Sequence, residues 1–150
     1  MNDKLVSSIE VATHSRLATA GINAPLVDVA NQLSVTHISL VVICADDGTV
    51  AGVITKTDIV KQLGKYVGNV SNMIASDVMS REVTCCAPAD CLPDVMAMMR
   101  QFGFVHLPVV DDAGRPVGVV NARDALRAML GEEKYEAALL RDYVMGVGYQ

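Results

Sequence analysis

Two short segments of the sequence end in an aspartate that could hold the hydroxyl groups of a sugar. They read Gly-Val-Ile-Thr-Lys-Thr-Asp over residues 52–58 and Gly-Val-Val-Asn-Ala-Arg-Asp over residues 118–124. Each has the aliphatic residues of a strand followed by a residue that can begin a helix. The free N–H groups at a helix N-terminus attract phosphate, and a neighbouring aspartate can accept hydrogen bonds from ribose. The two segments therefore point to nucleotide binding.

The same segments also fit a purely structural role. Thr55 and Asp58 have the spacing of a capping box, in which each side chain bonds the backbone N–H of the other residue. Asn121 and Asp124 have the same spacing. Helix capping alone would explain one such segment, whereas two at equivalent places in a repeated chain favour the binding role.

The segments are equivalent because the chain repeats itself without a gap after 66 residues. The identical pairs are Leu26 and Leu92, Asp28 and Asp94, Val29 and Val95, Asp46 and Asp112, Gly48 and Gly114, Gly52 and Gly118, Val53 and Val119, and Asp58 and Asp124. They fall at turns and at core positions. A single unit of about sixty residues is marginally stable alone, so we expect the two units to bury their sheet faces against each other.

Each half predicts the order β-α-β-β-α. A short extended piece, residues 17–20 or 83–86, precedes a helix whose apolar residues recur at i, i+3, i+4 and i+7. The apolar residues are Leu26, Val29, Ala30 and Leu33 in one helix and Leu92, Val95, Met96 and Met99 in the other. We expect Asn23 and Asp90 to cap these helices, with Pro25 and Pro93 in the first turn.

A β-hairpin and a second helix complete each half. The hairpins are predicted over residues 38–54 and 105–120, with turns at Asp46-Asp47-Gly48 and Asp111-Asp112-Ala113-Gly114. The closing helices are predicted over residues 58–63 and 124–130. The fold class is therefore α/β (α+β), with two repeats at residues 8–66 and 73–131 packed as a pseudo-twofold pair.

Residues 132–150 are predicted to form a C-terminal helical extension. Residues 132–144 are rich in helix formers, and Ala137, Leu140 and Tyr143 share one side at helical spacing. We expect this helix to pack on the two repeats or on a partner copy.

Composition excludes several classes of function. The 150 residues carry a net charge of −5, which argues against DNA binding through a broad basic surface and against attraction to anionic lipid. The N-terminus lacks a signal pattern, and the longest apolar stretch, residues 38–45, is too short to span a bilayer. We therefore expect a soluble, cytoplasmic protein without a membrane segment.

The four cysteines offer an alternative metal or redox function. They are Cys44, Cys85, Cys86 and Cys91, and no second ligand pair accompanies them at a metal-site spacing. Reduced structural thiols and no bound metal are the favoured interpretation. The sequence also shows no nucleophile with a base and no glycine-rich catalytic loop, so we expect no enzymatic activity.

The repeat, its two aspartate segments and the run His-Leu-Pro-Val-Val-Asp at residues 106–111 resemble CBS domains. The resemblance covers residues 11–130. In layout the chain is similar to stand-alone bacterial proteins that consist of a tandem CBS pair (a Bateman module) and an extra terminal helix.

The resemblance implies two adenine-nucleotide clefts between the repeats and a regulatory role. In cleft A, Asp124 would hold ribose, Asn121 and Arg123 would meet phosphate, and Ile38 and Val119 would enclose adenine. The full set for cleft A is Thr13, Arg16, Ala18, Ile38, Ser39, Val119, Asn121, Arg123 and Asp124. With Arg16 and Arg123 together, this cleft is expected to be the stronger phosphate site.

Cleft B is implied at the equivalent place around Asp58. Its set is Val53, Thr55, Thr57, Asp58, Met79, Thr84, Phe104 and Val105. Glu82 stands here where Arg16 stands in cleft A, so cleft B is expected to favour less charged adenosyl ligands. Val105 stands where many relatives carry a phosphate-binding Arg or His. AMP or ADP is therefore the preferred ligand, with ATP or NAD as further candidates.

The resemblance further implies a homodimer of CBS pairs that passes its signal to an unknown downstream protein. A different hypothesis keeps the same fold but assigns no ligand. In that case the chain is a structural or interaction protein that regulates a partner directly.

Overall fold

The computed structural model describes residues 4–65, 68 and 70–144. The first half contains a 3₁₀ turn Val6–Ile9, α1 Glu10–Ser15, β1 Thr19–Gly21, α2 Leu26–Leu33, β2 Leu40–Cys44, β3 Val50–Thr55 and α3 Lys56–Lys65. The second half contains a 3₁₀ turn Val70–Asn72, α4 Ala75–Val78, α5 Leu92–Phe102, β4 His106–Val110, β5 Pro116–Asn121, α6 Ala122–Leu130 and α7 Glu132–Val144. The predicted mixed α/β fold of two repeats is confirmed.

The two sheets are less alike than the repeat predicts. In the first, β1 pairs in parallel with β2, and β2 pairs antiparallel with β3. In the second, β4 and β5 form an antiparallel pair. The extended piece predicted at residues 83–86 contributes only one parallel bridge, between Cys86 and Val109. The second repeat thus keeps the position of its first strand but pairs there through a single residue.

The leading segment of each repeat packs on the other repeat. Val6 is 1% exposed in the core of the second repeat, beside Leu92 and Val109. Ala75 and Met79 lie in the core of the first repeat. Each packing unit therefore combines most of one repeat with the leading segment of the other.

This exchange explains why the expected helix caps are wrong. Pro25 and Cys91 occupy the N-cap positions of α2 and α5, and neither makes a side-chain cap. The first amides are bonded by the exchanged segments instead, since Leu26 N–H donates to the Met73 carbonyl at 2.8 Å and Leu92 N–H to the Lys4 carbonyl at 2.7 Å. Backbone carbonyls thus satisfy amides that a capping side chain would otherwise take. Asn23 and Asp90 play no part at these helix starts.

The sheet faces of the two repeats meet in a small apolar interface. Leu40, Val42 and Val119 are buried there, and Val50 N–H donates to the Gly114 carbonyl at 3.1 Å. This arrangement matches the expected burial of one sheet against the other. It also brings the ends of β3 and β5, with their aspartate segments, close to the leading segment of the opposite repeat.

The C-terminal helix α7 packs on α6. Tyr135 is 3% exposed, and the guanidinium of Arg127 lies 4.6 Å from the centre of its ring. Ala137 and Leu140, on the side for which packing was predicted, are exposed. The Tyr143 side chain and residues 145–150 lie outside the described part of the chain, as do residues 66, 67 and 69 of the linker.

Candidate functional site

The segment around Asp58 forms the predicted capping box. Thr55 N–H donates to Asp58 Oδ2 at 2.9 Å, and Asp58 N–H donates to Thr55 Oγ1 at 3.2 Å. The strand β3 ends at Thr55, so the box fixes the carboxylate at the start of α3. The other oxygen, Oδ1, has no hydrogen bond to any described residue. A carboxylate has about four acceptor positions, which leaves Asp58 able to accept from a ligand while it caps the helix.

Cleft B is an open cavity of about 370 Å³ beside this carboxylate. Seven of its eight predicted residues line it: Val53, Thr55, Thr57, Asp58, Thr84, Phe104 and Val105. Met79 does not, because its side chain packs against Gly52, where an added Cβ would lie 2.7 Å from the sulfur. The volume is within the range of small-molecule sites.

The exchanged segment adds Ser80, which is outside the predicted set, to the wall of cleft B. Ser80 pairs with Val53 through two backbone hydrogen bonds of 3.0 and 2.9 Å. The lining residues beyond the predicted set are Leu40, Ser80, Glu82, Val83, Gly103, His106, Leu107 and Pro108. Glu82 was singled out for its charge, and the last three belong to the run at residues 106–111 that resembles CBS domains. No such signal in the sequence marks the other four.

The surface of cleft B combines apolar walls with negative charge. Phe104 is 39% exposed and stacks on Phe102, with ring centres 5.7 Å apart. Asp58 and Glu82 carry the formal charges, and none of the lining residues is Lys or Arg. The cleft therefore suits a flat apolar group joined to a hydrogen-bonding group, and it repels anions.

His106 lies between the two clefts and lines both. Burial lowers the pKa of His106 from its ordinary value, and nearby Asp58 opposes the shift only in part. The imidazole is therefore neutral at pH 7. Its Nδ1 atom is buried and has no hydrogen-bond partner among the described residues, so it can donate to or accept from a bound molecule.

The segment around Asp124 differs from its equivalent. Asn121 Oδ1 accepts from Arg123 N–H at 2.9 Å, so asparagine caps α6 as expected. Asp124 does not complete the box; Arg16 Nε donates to its Oδ2, and Arg16 Nη2 donates to its Oδ1 at 3.1 Å. A two-pronged bond between charged groups is stronger than a bond to a backbone amide. The prediction of a second capping box is therefore wrong.

The ion pair between Arg16 and Asp124 closes cleft A. Arg16 Nη1 also donates to the His37 carbonyl at 3.1 Å, and its bond to Asp124 raises the pKa of the guanidinium. The space left is about 10 Å³, room for about one water molecule. Arg16 is bonded to Asp124, the carboxylate that was expected to hold ribose, and so does not face a ligand. This is the cleft for which the sequence predicts the stronger phosphate site.

The remaining residues predicted for cleft A lie in different surroundings. Arg16, Ser39, Val119 and Asn121 line the small space. Ile38 is 6% exposed within the core of the first repeat, and Ala18 packs against that core. Thr13 packs against Gly118, and Arg123 is exposed. As it stands, the cleft has no open face between Ile38 and Val119.

The fold has two repeats, and each places one aspartate at a cleft between the paired sheets. The sequence of both repeats matches a known family. The CBS domain family matches residues 6–65 and 75–131. The chain belongs to the CBS domain family. Among curated relatives, the homoserine O-acetyltransferase of Methanohalophilus mahii is 29% identical over 97 residues, which are 65% of this chain and 18% of that enzyme. The chain spans 18% to 59% of the length of the first three curated relatives it matches.

Solved CBS pairs share the fold. The CBS domain pair of protein MJ0100, determined in complex with 5′-methylthioadenosine and S-adenosyl-L-methionine, is 27% identical to this chain, with a TM-score of 0.72. The match covers 86% of this chain and 98% of that one. The protein CBSX2, in complex with AMP, has a TM-score of 0.70 at 20% identity, covering 84% of this chain and 96% of that one, and so shares the fold. Within the described residues, no helix combines the length and apolar character needed to cross a membrane.

Arg16→Ala should destabilise this CBS pair by about 1–2 kcal/mol. The change leaves the Asp124 carboxylate, 14% exposed, without its charged partner. Urea denaturation measures the loss. Arg16→Lys should recover only part of it, because lysine keeps the charge but not the two-pronged geometry. A wild-type midpoint for Arg16→Ala would show that the ion pair contributes no stability.

The cysteines of the CBS pair are free thiols. Burial raises the pKa of Cys86 to about 12, and burial also raises the pKa of Cys44 and Cys85. A buried thiol with a raised pKa is a poor nucleophile and a poor metal ligand. In the described part of the chain, no group of three His, Cys, Asp or Glu side chains could hold a metal ion.

Proposed function

We propose that this CBS pair is a regulatory sensor of adenosine-based ligands and that cleft B binds them first. The observation that carries the proposal is an open cleft of about 370 Å³ in which one oxygen of Asp58 is free. Asp58 would accept hydrogen bonds from the ribose hydroxyls, and the apolar walls would hold adenine. The complexes of MJ0100 and CBSX2 support adenosine as the common part of the ligand. In this proposal the described residues bind the ligand and do not catalyse a reaction.

The negative charge of cleft B determines the order of affinity among adenosine ligands in this proposal. Asp58 and Glu82 both line it without a basic residue, so each added phosphate costs affinity. We infer that 5′-methylthioadenosine and S-adenosylmethionine bind more tightly than AMP, and AMP more tightly than ADP, ATP or NAD. AMP thus remains the first choice among the nucleotides.

Cleft A supplies the signal in this proposal. A ligand with phosphate would draw Arg16 away from Asp124 and free that carboxylate for ribose. Asn121 and Arg123 would then face the phosphate. Since the closed and open arrangements of cleft A bind ligand differently, occupancy shifts the equilibrium between them. A downstream protein would recognise one of the two arrangements.

Titration calorimetry with these adenosine ligands tests the proposal. We expect one 5′-methylthioadenosine per chain and a matching rise in melting temperature. The absence of both heat and stabilisation with every ligand would remove the sensing function. Co-purification of a partner protein whose affinity does not change with these ligands would then favour the alternative hypothesis of a ligand-independent interaction protein.

We also propose that two CBS pairs form a homodimer through α3 and α6. Val60 and Leu63 on α3 are 67% and 59% exposed, and the equivalent Leu126 and Met129 on α6 are 38% and 42% exposed. Two equivalent apolar faces related by a pseudo-twofold axis suit a symmetric contact with a second copy.

Val60→Asp should convert this dimer into a monomer, because a carboxylate would be buried in an apolar contact. Size-exclusion chromatography with light scattering measures the mass. Val35→Asp, the same change at an exposed site (44%) just after α2, should leave the dimer intact. A monomeric wild-type protein would contradict the proposed contact.

A further inference from the structure

A cavity of about 520 Å³ lies away from both clefts, at the outer side of the second repeat. Val6, Thr13 and Val109 form its buried floor, at 1%, 4% and 2% exposure. The other lining residues, at its open rim, are Ser7, Glu10, Val11, His14, Pro88 and Val117. The cavity thus lies between the exchanged leading segment and the sheet of the second repeat.

The equivalent place in the first repeat is filled with side chains. Met79 and Ile43 lie in the core there, and Met73 and Ile22 pack against it. The equivalent residues around the sheet of the second repeat are smaller: Thr13 and Ser7 from the leading segment that packs on it, in place of Met79 and Met73, and its own Val109 and Pro88, in place of Ile43 and Ile22. Met79 packs on Gly52 as Thr13 packs on Gly118, although Thr13 lies within α1 and Met79 follows the end of α4. The smaller side chains at these four positions leave open the space beside Val6 and Thr13.

The rim carries charge that the first repeat lacks. Glu10 and His14 lie one turn apart on α1 and line the cavity. Their equivalents in the segment that packs on the first repeat are Ser76 and Ser80. Glu10 makes no ion pair with any other described residue. An unpaired carboxylate therefore stands at the rim, above an apolar floor of valine side chains.

We propose that this cavity binds a small, largely apolar organic amine. The apolar body would cover Val6, Val109 and Val117, and the ammonium group would lie at Glu10. The volume is within the range of small-molecule sites, and the charge at the rim favours a cation. The proposal involves neither aspartate cleft, so it stands apart from adenosine binding.

Phenethylamine, which is protonated at pH 7, serves as the probe ligand for the cavity. The carboxylate 3-phenylpropionate, of similar size but opposite charge, serves as the control. Methyl NMR of the valines should show shifts at Val6, Val109 and Val117 with millimolar phenethylamine, and weaker ones with 3-phenylpropionate. Glu10→Gln should weaken phenethylamine binding about threefold, as expected for an exposed ion pair. Glu136→Gln, the same change at an exposed site on α7, should not weaken it.

Thr13→Met should abolish phenethylamine binding, because the longer side chain would fill the floor of the cavity, as Met79 fills the space against Gly52. Ser7→Met serves the same purpose if Thr13→Met does not fold. No shift at the three valines, unchanged binding in a folded filled variant, or equal affinity for the amine and the carboxylate would each overturn the proposal. Because no adenosine ligand is used, these outcomes are independent of those for cleft B.

Discussion

Asp58→Asn should lower the affinity for 5′-methylthioadenosine by about a hundredfold, the loss expected for two hydrogen bonds to a charged acceptor. The uncharged amide keeps the size of the side chain and can still accept from Thr55 N–H, so α3 should remain capped. Its NH₂ group, however, cannot accept from ribose. Titration calorimetry of the folded variant measures the change.

Asp28→Asn is the matched control for this loss. Asp28 is exposed in the first turn of α2 and lines neither cleft, so the same chemical change there should leave the affinity unaltered. If Asp58→Asn bound 5′-methylthioadenosine as the wild type does, the ribose would lie elsewhere and the assignment of cleft B would fail.

Glu82→Arg should raise the ratio of ADP affinity to 5′-methylthioadenosine affinity by about tenfold. The change places at cleft B the residue type that cleft A has at Arg16. The new guanidinium can form an ion pair with Asp58. An uncharged ligand must break this ion pair to reach Asp58, and it offers the guanidinium no anionic group in exchange. A diphosphate compensates for that contact by binding the guanidinium itself. Competition titrations of the two ligands measure the ratio.

Glu82→Gln separates the loss of the carboxylate from the gain of the guanidinium. It should improve ADP binding moderately and leave 5′-methylthioadenosine binding unchanged, since only repulsion is removed. Equal changes for both ligands in Glu82→Arg would show that charge at residue 82 does not select between them.

The repeat made most of the fold predictable. Because the match has no gap, the hairpin and closing helix recognised in one half located those of the other. The capping box of Thr55 and Asp58 was predictable as well, since three residues separate its partners and its geometry is local. Seven of the eight residues that the resemblance to CBS domains implies for cleft B line one cavity.

The contacts between residues far apart in the sequence could not be predicted from the repeat or from local motifs. Arg16 and Asp124 are separated by 108 positions. The resemblance to CBS domains implies that both lie in cleft A, but nothing near either residue indicates that they bond each other. Asn23 and Asp90 are good capping residues by type, but backbone carbonyls from the exchanged segments take that role. The cavity beside Thr13 also depends on comparing packed volumes, which the pattern of apolar residues does not encode.

The exchange of leading segments has a consequence for synthesis of the chain. Residues 4–16 are made roughly 100 residues before β4 and β5 are complete, an interval on the order of ten seconds at ordinary translation rates. During that time Val6 has no core to join, whereas the first repeat needs only residues 70–80 to complete its own. The first repeat can therefore close on the ribosome while the second waits. During synthesis, residues 4–16 therefore remain unpacked until β4 and β5 have been made.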